Sequence, residues 1–260
     1  MQGSDYKTRK AYFDRLLTLF GRNPVMEALQ SSHVTPVRLH LADSNKPSPQ
    51  LTDMQTIARG KGADIVFHTR QELARISRNG RQDQGVALDI ETPGYQSLDA
   101  LLAQAAREAG AMEFIALDQV INPQNLGMII RSVAASPIAG LIVPRQGGAR
   151  MDGLVIKASA GTLFQANIYT CDQLEPSLSQ LATAGFRILG LGAGGQQSID
   201  QVPSGRNVFV LGNESTGLSS NIRSCCSGIV SIPLQNQVES LNVSVAASIV
   251  AFRSIFARHT

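Results

Sequence analysis

The stretch IPLQNQVESLNVSVAASIVAF (residues 232–252) begins like a strand and ends like a buried helix, with Glu239, Ser240, Leu241 and Asn242 between the two. A plain core hairpin would use a short turn there, so an acid, a hydroxyl and an amide at the mouth of an apolar helix ask for a chemical reason. Two other blocks share this character. In INPQNLGMIIRSVAA (121–135), a turn with Pro123 and Asn125 enters a helix carrying Arg131; Ile129, Ile130 and Val133 form its buried side, and Asn125 is available as a cap. In VFVLGNESTGLS (208–219), a strand runs straight into a glycine-flanked loop bearing Glu214. A guanidinium can hold a phosphate or stabilise a developing alkoxide, but it hardly ever gives up its proton. Each block sets polar groups and open backbone at the carboxyl end of an apparent strand, where open α/β sheets bind ligands.

Other motifs compete and fail. GLGAGG (190–195) has the dinucleotide-binding glycine spacing, and the next strand leads to Glu214, about 20 residues on. The helix that such a site needs is missing: QQSIDQVPSGR contains Pro203 and Gly205 and falls short of the dozen or so residues of a parallel crossover. A flexible loop accounts for the glycines. GNESTGLS (212–219) has the spacing of a phosphate-cradling loop, but Leu218 stands where a lysine must reach the phosphates. His33, His40, His68 and His259 fall outside all these blocks, so a Ser-His-Asp triad has no support.

These residues need a scaffold. VRLHLA, ADIVFH and QGVALDIE read as strands of a first unit, with SPQLTDMQTIARGKG helical between the first two. TPGYQSLDALLAQAAREAG supplies a Pro-Gly break and a helical segment, expected as a linker over 93–112. From EFIALDQV onward strands alternate with helices, which predicts a mostly parallel sheet covered on both faces. The expected domains are therefore 1–92 and 113–260. The 260 residues are 43% hydrophobic and 17% charged, an ordinary globular composition without a membrane span or signal-peptide core. Cys171, Cys225 and Cys226 form neither a CxxC pair nor an even framework, so no metal site is expected and a reducing, cytoplasmic setting is. The net charge of +3 resides wholly in residues 1–92, which hold 13 Lys/Arg against 10 Asp/Glu. It is densest where Arg70, Arg75, Arg78 and Arg81 face only Glu72, either a solvated helix face or a phosphate-contacting patch for RNA.

The three blocks, in order and wording, resemble the signature motifs of the SpoU/TrmH family of RNA 2′-O-ribose methyltransferases, in the SPOUT superfamily. They read N-x-G-x-x-x-R, then L-G-N-E-x-x-G-L-S, then I-P-L with E-S-L-N-V-S-x-A. The first third is similar to the L30e-like substrate-binding domain of many relatives, with FGRNPVMEAL as its opening helix.

The resemblance implies an α/β fold whose C-terminal segment is threaded into a trefoil knot, S-adenosylmethionine bound in that knot, and a homodimer with its active site near the subunit interface. It places Leu211, Gly212, Asn213, Ile232, Ser240 and Leu241 at the cofactor, with Gly212 allowing close approach and Ile232 and Leu241 walling the adenine. It makes Arg131 the main catalytic residue and Asn125, Glu214 and Asn242 the polar groups that orient it and the ribose. The implied substrate is a ribosomal or transfer RNA, with a 23S rRNA guanosine among the options. The alternatives are a catalytically silent RNA-binding protein on the same scaffold and a Rossmann-type nucleotide enzyme. Four positions depart from the family pattern: Asn236 and Pro137 where glycine is common, and Thr162 and Phe164 where alanine and glutamate are.

Overall fold

The computed structural model of the chain describes residues 16–32, 34–91, 95–149, 151 and 153–256. The N-terminal stretch, His33, the Thr92-Pro93-Gly94 break and His259 lie outside the described residues. The chain divides into two compact units; the first takes in the described residues up to Glu91 together with 151–157, and the second holds the remainder.

In the first unit, β1 (Leu16–Phe20), β2 (Pro36–Ala42), β3 (Asp64–His68) and β4 (Val86–Glu91) form one sheet in the order β1-β4-β2-β3. Only β2 and β3 run parallel. Alternation along the strands sends Leu19, Leu39, Leu41, Leu88 and Ile90 inward, each at most 2% exposed. Helices α1 (Arg22–Gln30) and α2 (Pro49–Gly60) pack on this sheet, and Ser48 caps α2 by accepting from Leu51 N. Helix α3 (Arg70–Ser77) opens with a reciprocal capping box between Thr69 and Glu72.

The second sheet has eight strands, all parallel, in the order β10-β12-β9-β11-β6-β7-β8-β5. They are β5 (Gln96–Ser97), β6 (Met112–Leu117), β7 (Gly140–Pro144), β8 (Ile168–Cys171), β9 (Arg187–Leu191), β10 (Gln197–Ser198), β11 (Arg206–Leu211) and β12 (Gly228–Ser231). The central strands read as unbroken apolar runs because both faces are covered. Helices α4 (Leu98–Arg107), α7 (Leu174–Thr183) and α8 (Ser220–Cys225) close one core around Phe114, Tyr169, Leu178 and Val210. Helices α5 (Pro123–Ala134) and α9 (Val243–Phe256) pack against each other on the sheet, and α6 (Gly153–Ala158) is a short turn between β7 and β8. The segment expected as a linker thus contains α4, whose Leu98 and Leu101 belong to the second unit's core.

No α-helix joins β9 to β11. The chain instead runs from β9 to the edge strand β10, through a 3-10 turn at Ile199–Gln201, and back to β11 on the other side of β9. β12 enters last and lies between β9 and β10. The 192–196 connection therefore crosses β12 closely: Gly192 N donates to Val230 O at 3.0 Å, and a Cβ on Gly195 would lie 2.7 Å from the Val230 carbonyl carbon. Only glycine permits that crossing.

Candidate functional site

The loops after β9, β11 and β12 enclose a pocket of about 820 Å³ at the carboxyl edge of the sheet. Six residues that the family resemblance assigned to the cofactor line it: Leu211, Gly212, Asn213, Ile232, Ser240 and Leu241. Gly192 and Gly194, expected only as a flexible loop, form another wall. Exposed Leu234 and Val238 add apolar surface, while Glu214 and Glu239 supply carboxylates. No lysine or arginine is among the described lining residues. Asn236 has φ +56°, a left-handed conformation that asparagine tolerates and glycine adopts freely.

Glycine at 212 answers to a constraint of the loop itself. A Cβ there would lie 2.3 Å from the Gly217 carbonyl carbon and 2.5 Å from Leu218 N, so the loop's own backbone excludes a side chain. Asn213 pairs N–H to carbonyl with Gly217 in both directions, at 3.0 and 2.9 Å. Its side-chain oxygen accepts from Ser215 N at 2.9 Å, and its Nδ2 donates to Gln119 O at 3.1 Å. The amide of Asn213 is thus spent on shaping the loop.

Glu214, Asn125 and Asn242, brought together from three distant blocks, form one network. Asn125 Nδ2 donates to Glu214 Oε1, and Asn242 Nδ2 donates to Asn125 Oδ1 at 3.2 Å. Asn125 is 5% exposed inside the first turn of α5, so Glu214 stands near a helix N-terminus, where negative charge is favoured. The cap of α5 is Asn122, which accepts from Gln124 N at 2.9 Å; Asn125 is already inside the helix and faces the network. Asn242 caps α9 by accepting from Ser244 N at 2.9 Å while serving the network with its other end. The polar interruption at 239–242 therefore has two uses: Glu239, Ser240 and Leu241 form a lip of the pocket, and Asn242 starts the helix.

Arg131 stands apart. It is exposed, lies six residues beyond Asn125, and so is about 9 Å farther along α5 and a third of a turn around it. Among the described residues its guanidinium has no hydrogen bond or ion pair, so none joins it to Glu214 or Asn242. In the first unit, Arg75, Arg78 and Arg81 are exposed. Arg70 lies 3.8 Å from the buried carboxylate of Asp83. Among the described residues no cluster of His, Cys, Asp or Glu could hold a metal, and no helix is long and apolar enough to cross a membrane.

A parallel sheet whose last strand is inserted between earlier ones, with a pocket at its carboxyl edge whose described lining holds no Lys or Arg, and a small α/β unit before it, make this a two-unit α/β protein. The chain belongs to the SpoU rRNA methylase family, which it matches over residues 112–252, and is an RNA methyltransferase; residues 18–96 match the RNA 2′-O ribose methyltransferase substrate-binding family. It is 38% identical to a tRNA/rRNA methyltransferase of Mycolicibacterium vanbaalenii, over 89% of this chain and 74% of that one. The corresponding protein of Mycobacterium tuberculosis strain H37Rv is 37% identical, over 91% and 73%. Among solved structures, the SpoU methyltransferase AviRb from Streptomyces viridochromogenes, in complex with AdoMet, aligns with TM-score 0.75 at 19% identity, covering 97% of this chain and 94% of that one. An AdoMet-bound rRNA methyltransferase from Sinorhizobium meliloti aligns with TM-score 0.69 at 21% identity, covering 97% and 90%.

Proposed function

We propose that this enzyme methylates the 2′-hydroxyl of a ribose in ribosomal or transfer RNA, with S-adenosylmethionine as methyl donor in the 820 Å³ pocket. The observation that carries the assignment is the pocket's lining: apolar walls, glycine-rich backbone and two carboxylates, with no Lys or Arg among the described residues. Such a site suits a cationic sulfonium beside an adenine and offers no side-chain cation to a dinucleotide pyrophosphate. The missing helix after β9 removes the backbone N–H groups that would otherwise hold one. S-adenosylmethionine supplies an electrophilic methyl group on sulfur.

A ribose hydroxyl is a poor nucleophile, so the protein's work is positioning and stabilisation of the alkoxide. The Glu214–Asn125–Asn242 network sets one fixed edge for the ribose. Arg131 binds the adjacent phosphate and stabilises the emerging negative charge. Exposed Ile121, Met128 and Val245 surround the seam of α5 and α9, where Ser132 Oγ meets Ser248 Oγ at 2.8 Å. This face supports a homodimer and an active site near its interface. The position of β12 between β9 and β10 supports the family's trefoil knot. Arg75, Arg78 and Arg81, with Arg70, form the RNA-contacting patch of the substrate-binding domain, residues 1–92, and the catalytic domain takes in α4 as well as residues 113–260.

Calorimetry with S-adenosylhomocysteine and NAD, followed by comparison of 2′-O-methyl positions in RNA from cells with and without the protein, tests this reading. Binding of S-adenosylhomocysteine and loss of one methylated position are expected. Binding of the analogue with an unchanged methylation map would identify a silent RNA binder.

A further inference from the structure

Asp118 stands where β6 ends, 5% exposed, and no step of the proposed reaction uses it. Its Oδ2 accepts the backbone N–H of Ser219 at 2.7 Å, and its own N–H donates to Leu211 O at 2.8 Å. One residue on, Gln119 adopts φ +55°, a left-handed conformation that costs a non-glycine residue energy, and offers its carbonyl to Asn213 Nδ2. Two consecutive residues after β6 thus clasp the 212–219 loop near both ends. Between the clasps the loop contributes Glu214 and the backbone from Gly212 to Gly217 to the pocket wall.

We propose that Asp118 is a positioning residue, whose carboxylate holds the 212–219 loop in its binding shape before the ligand arrives. A hydrogen bond to an ionised, buried acceptor is among the stronger ones available, and a wall already ordered adds no ordering cost to binding. The inference rests on the assignment of the pocket to S-adenosylmethionine.

Calorimetry of S-adenosylhomocysteine on the full chain tests it. Asp118→Ala should weaken binding about tenfold. Asp118→Asn keeps an acceptor oxygen and should stay within about threefold of the wild type. Ser219 has φ −62°, which proline matches, so Ser219→Pro deletes the donor N–H and should reproduce the alanine loss. The double variant Asp118→Ala/Ser219→Pro should be no worse than either single one, since both remove one bond. RNA affinity should not move in any of them. Unchanged ligand affinity in Asp118→Ala overturns the proposal. So does a loss that Asp118→Asn fails to rescue, because that would mean general damage to the fold. If Asp118→Ala fails to fold, the asparagine and proline variants carry the comparison. Failure of the wild type to bind the analogue would instead sink the functional assignment.

Discussion

Arg131 and Asn125 occupy one helix, and the proposed reaction gives them different roles that substitution separates. Arg131→Ala is expected to lower single-turnover methyl transfer by about a hundredfold or more, the loss typical of removing one donor to a developing oxyanion. S-adenosylhomocysteine affinity should hold, because Arg131 is not among the described residues that line the pocket, and α5 accepts alanine readily. Wild-type transfer by this variant would refute the role given to the arginine. Residue types at the carboxyl ends of strands were legible from sequence, while the grouping of Asn125, Glu214 and Asn242 came only from the family resemblance; the three lie in separate blocks and meet in one hydrogen-bonded chain. The direction in which each side chain points was not legible. Asn213 turns its amide into its own loop, Asn122 takes the cap that Asn125 could have held, and Gly212 is small to admit backbone. Asp118 left a signal that could have been read, an acid closing the apolar run FIAL.

Individual elements carry their own chemistry. Across the first sheet, His40 on β2 has its Nε2 3.0 Å from Asp89 Oδ2 on β4 and its Nδ1 2.9 Å from His68 Nε2 on β3, while Thr18 on β1 donates to Asp89 Oδ1 at 2.6 Å. With Asp89 ionised, His40 Nε2 carries the proton, and while that ring is neutral its Nδ1 accepts from His68. Burial, and then the neighbouring His40, lower the pKa of His68. As pH falls through the ordinary histidine range the unfolded chain therefore takes up a proton before the folded one does, and stability is lost. Urea unfolding between about pH 7.5 and 5.5 should show that slope, and His68→Gln should flatten it; equal slopes would exclude the contribution. In the second sheet Arg253 of α9 is 7% exposed, pairs with Glu113 on β6, donates to Val202 O at 2.7 Å and stacks 4.8 Å from the Phe209 ring centre. Truncation to alanine leaves Glu113 without its cation and should cost about 3 kcal/mol in the same assay. Strand and helix positions were readable because buried parallel strands are long apolar runs. The two-residue strands β5 and β10 and the order in which β12 enters were not, since neither depends on local periodicity.

For the whole molecule, the charge excess of residues 1–92 makes a prediction about salt. Neutralised phosphates release counterions, so RNA affinity should fall steeply as salt rises. Replacing Arg75, Arg78 and Arg81 by alanine should weaken RNA binding and flatten that dependence while leaving S-adenosylhomocysteine affinity alone. Filter binding across a salt series checks it, and identical slopes for wild type and variant would reduce the patch to solvated surface. The pocket, by contrast, has a distribution in the chain that bears on biosynthesis. Its lining begins at Leu191 and ends at Ala246, and the helix that completes it is pinned to β6 by Arg253. Residues 191–246 must all have left the ribosome before the described lining is complete, so in the proposed reading a nascent chain that stops short of Ala246 cannot hold the methyl donor.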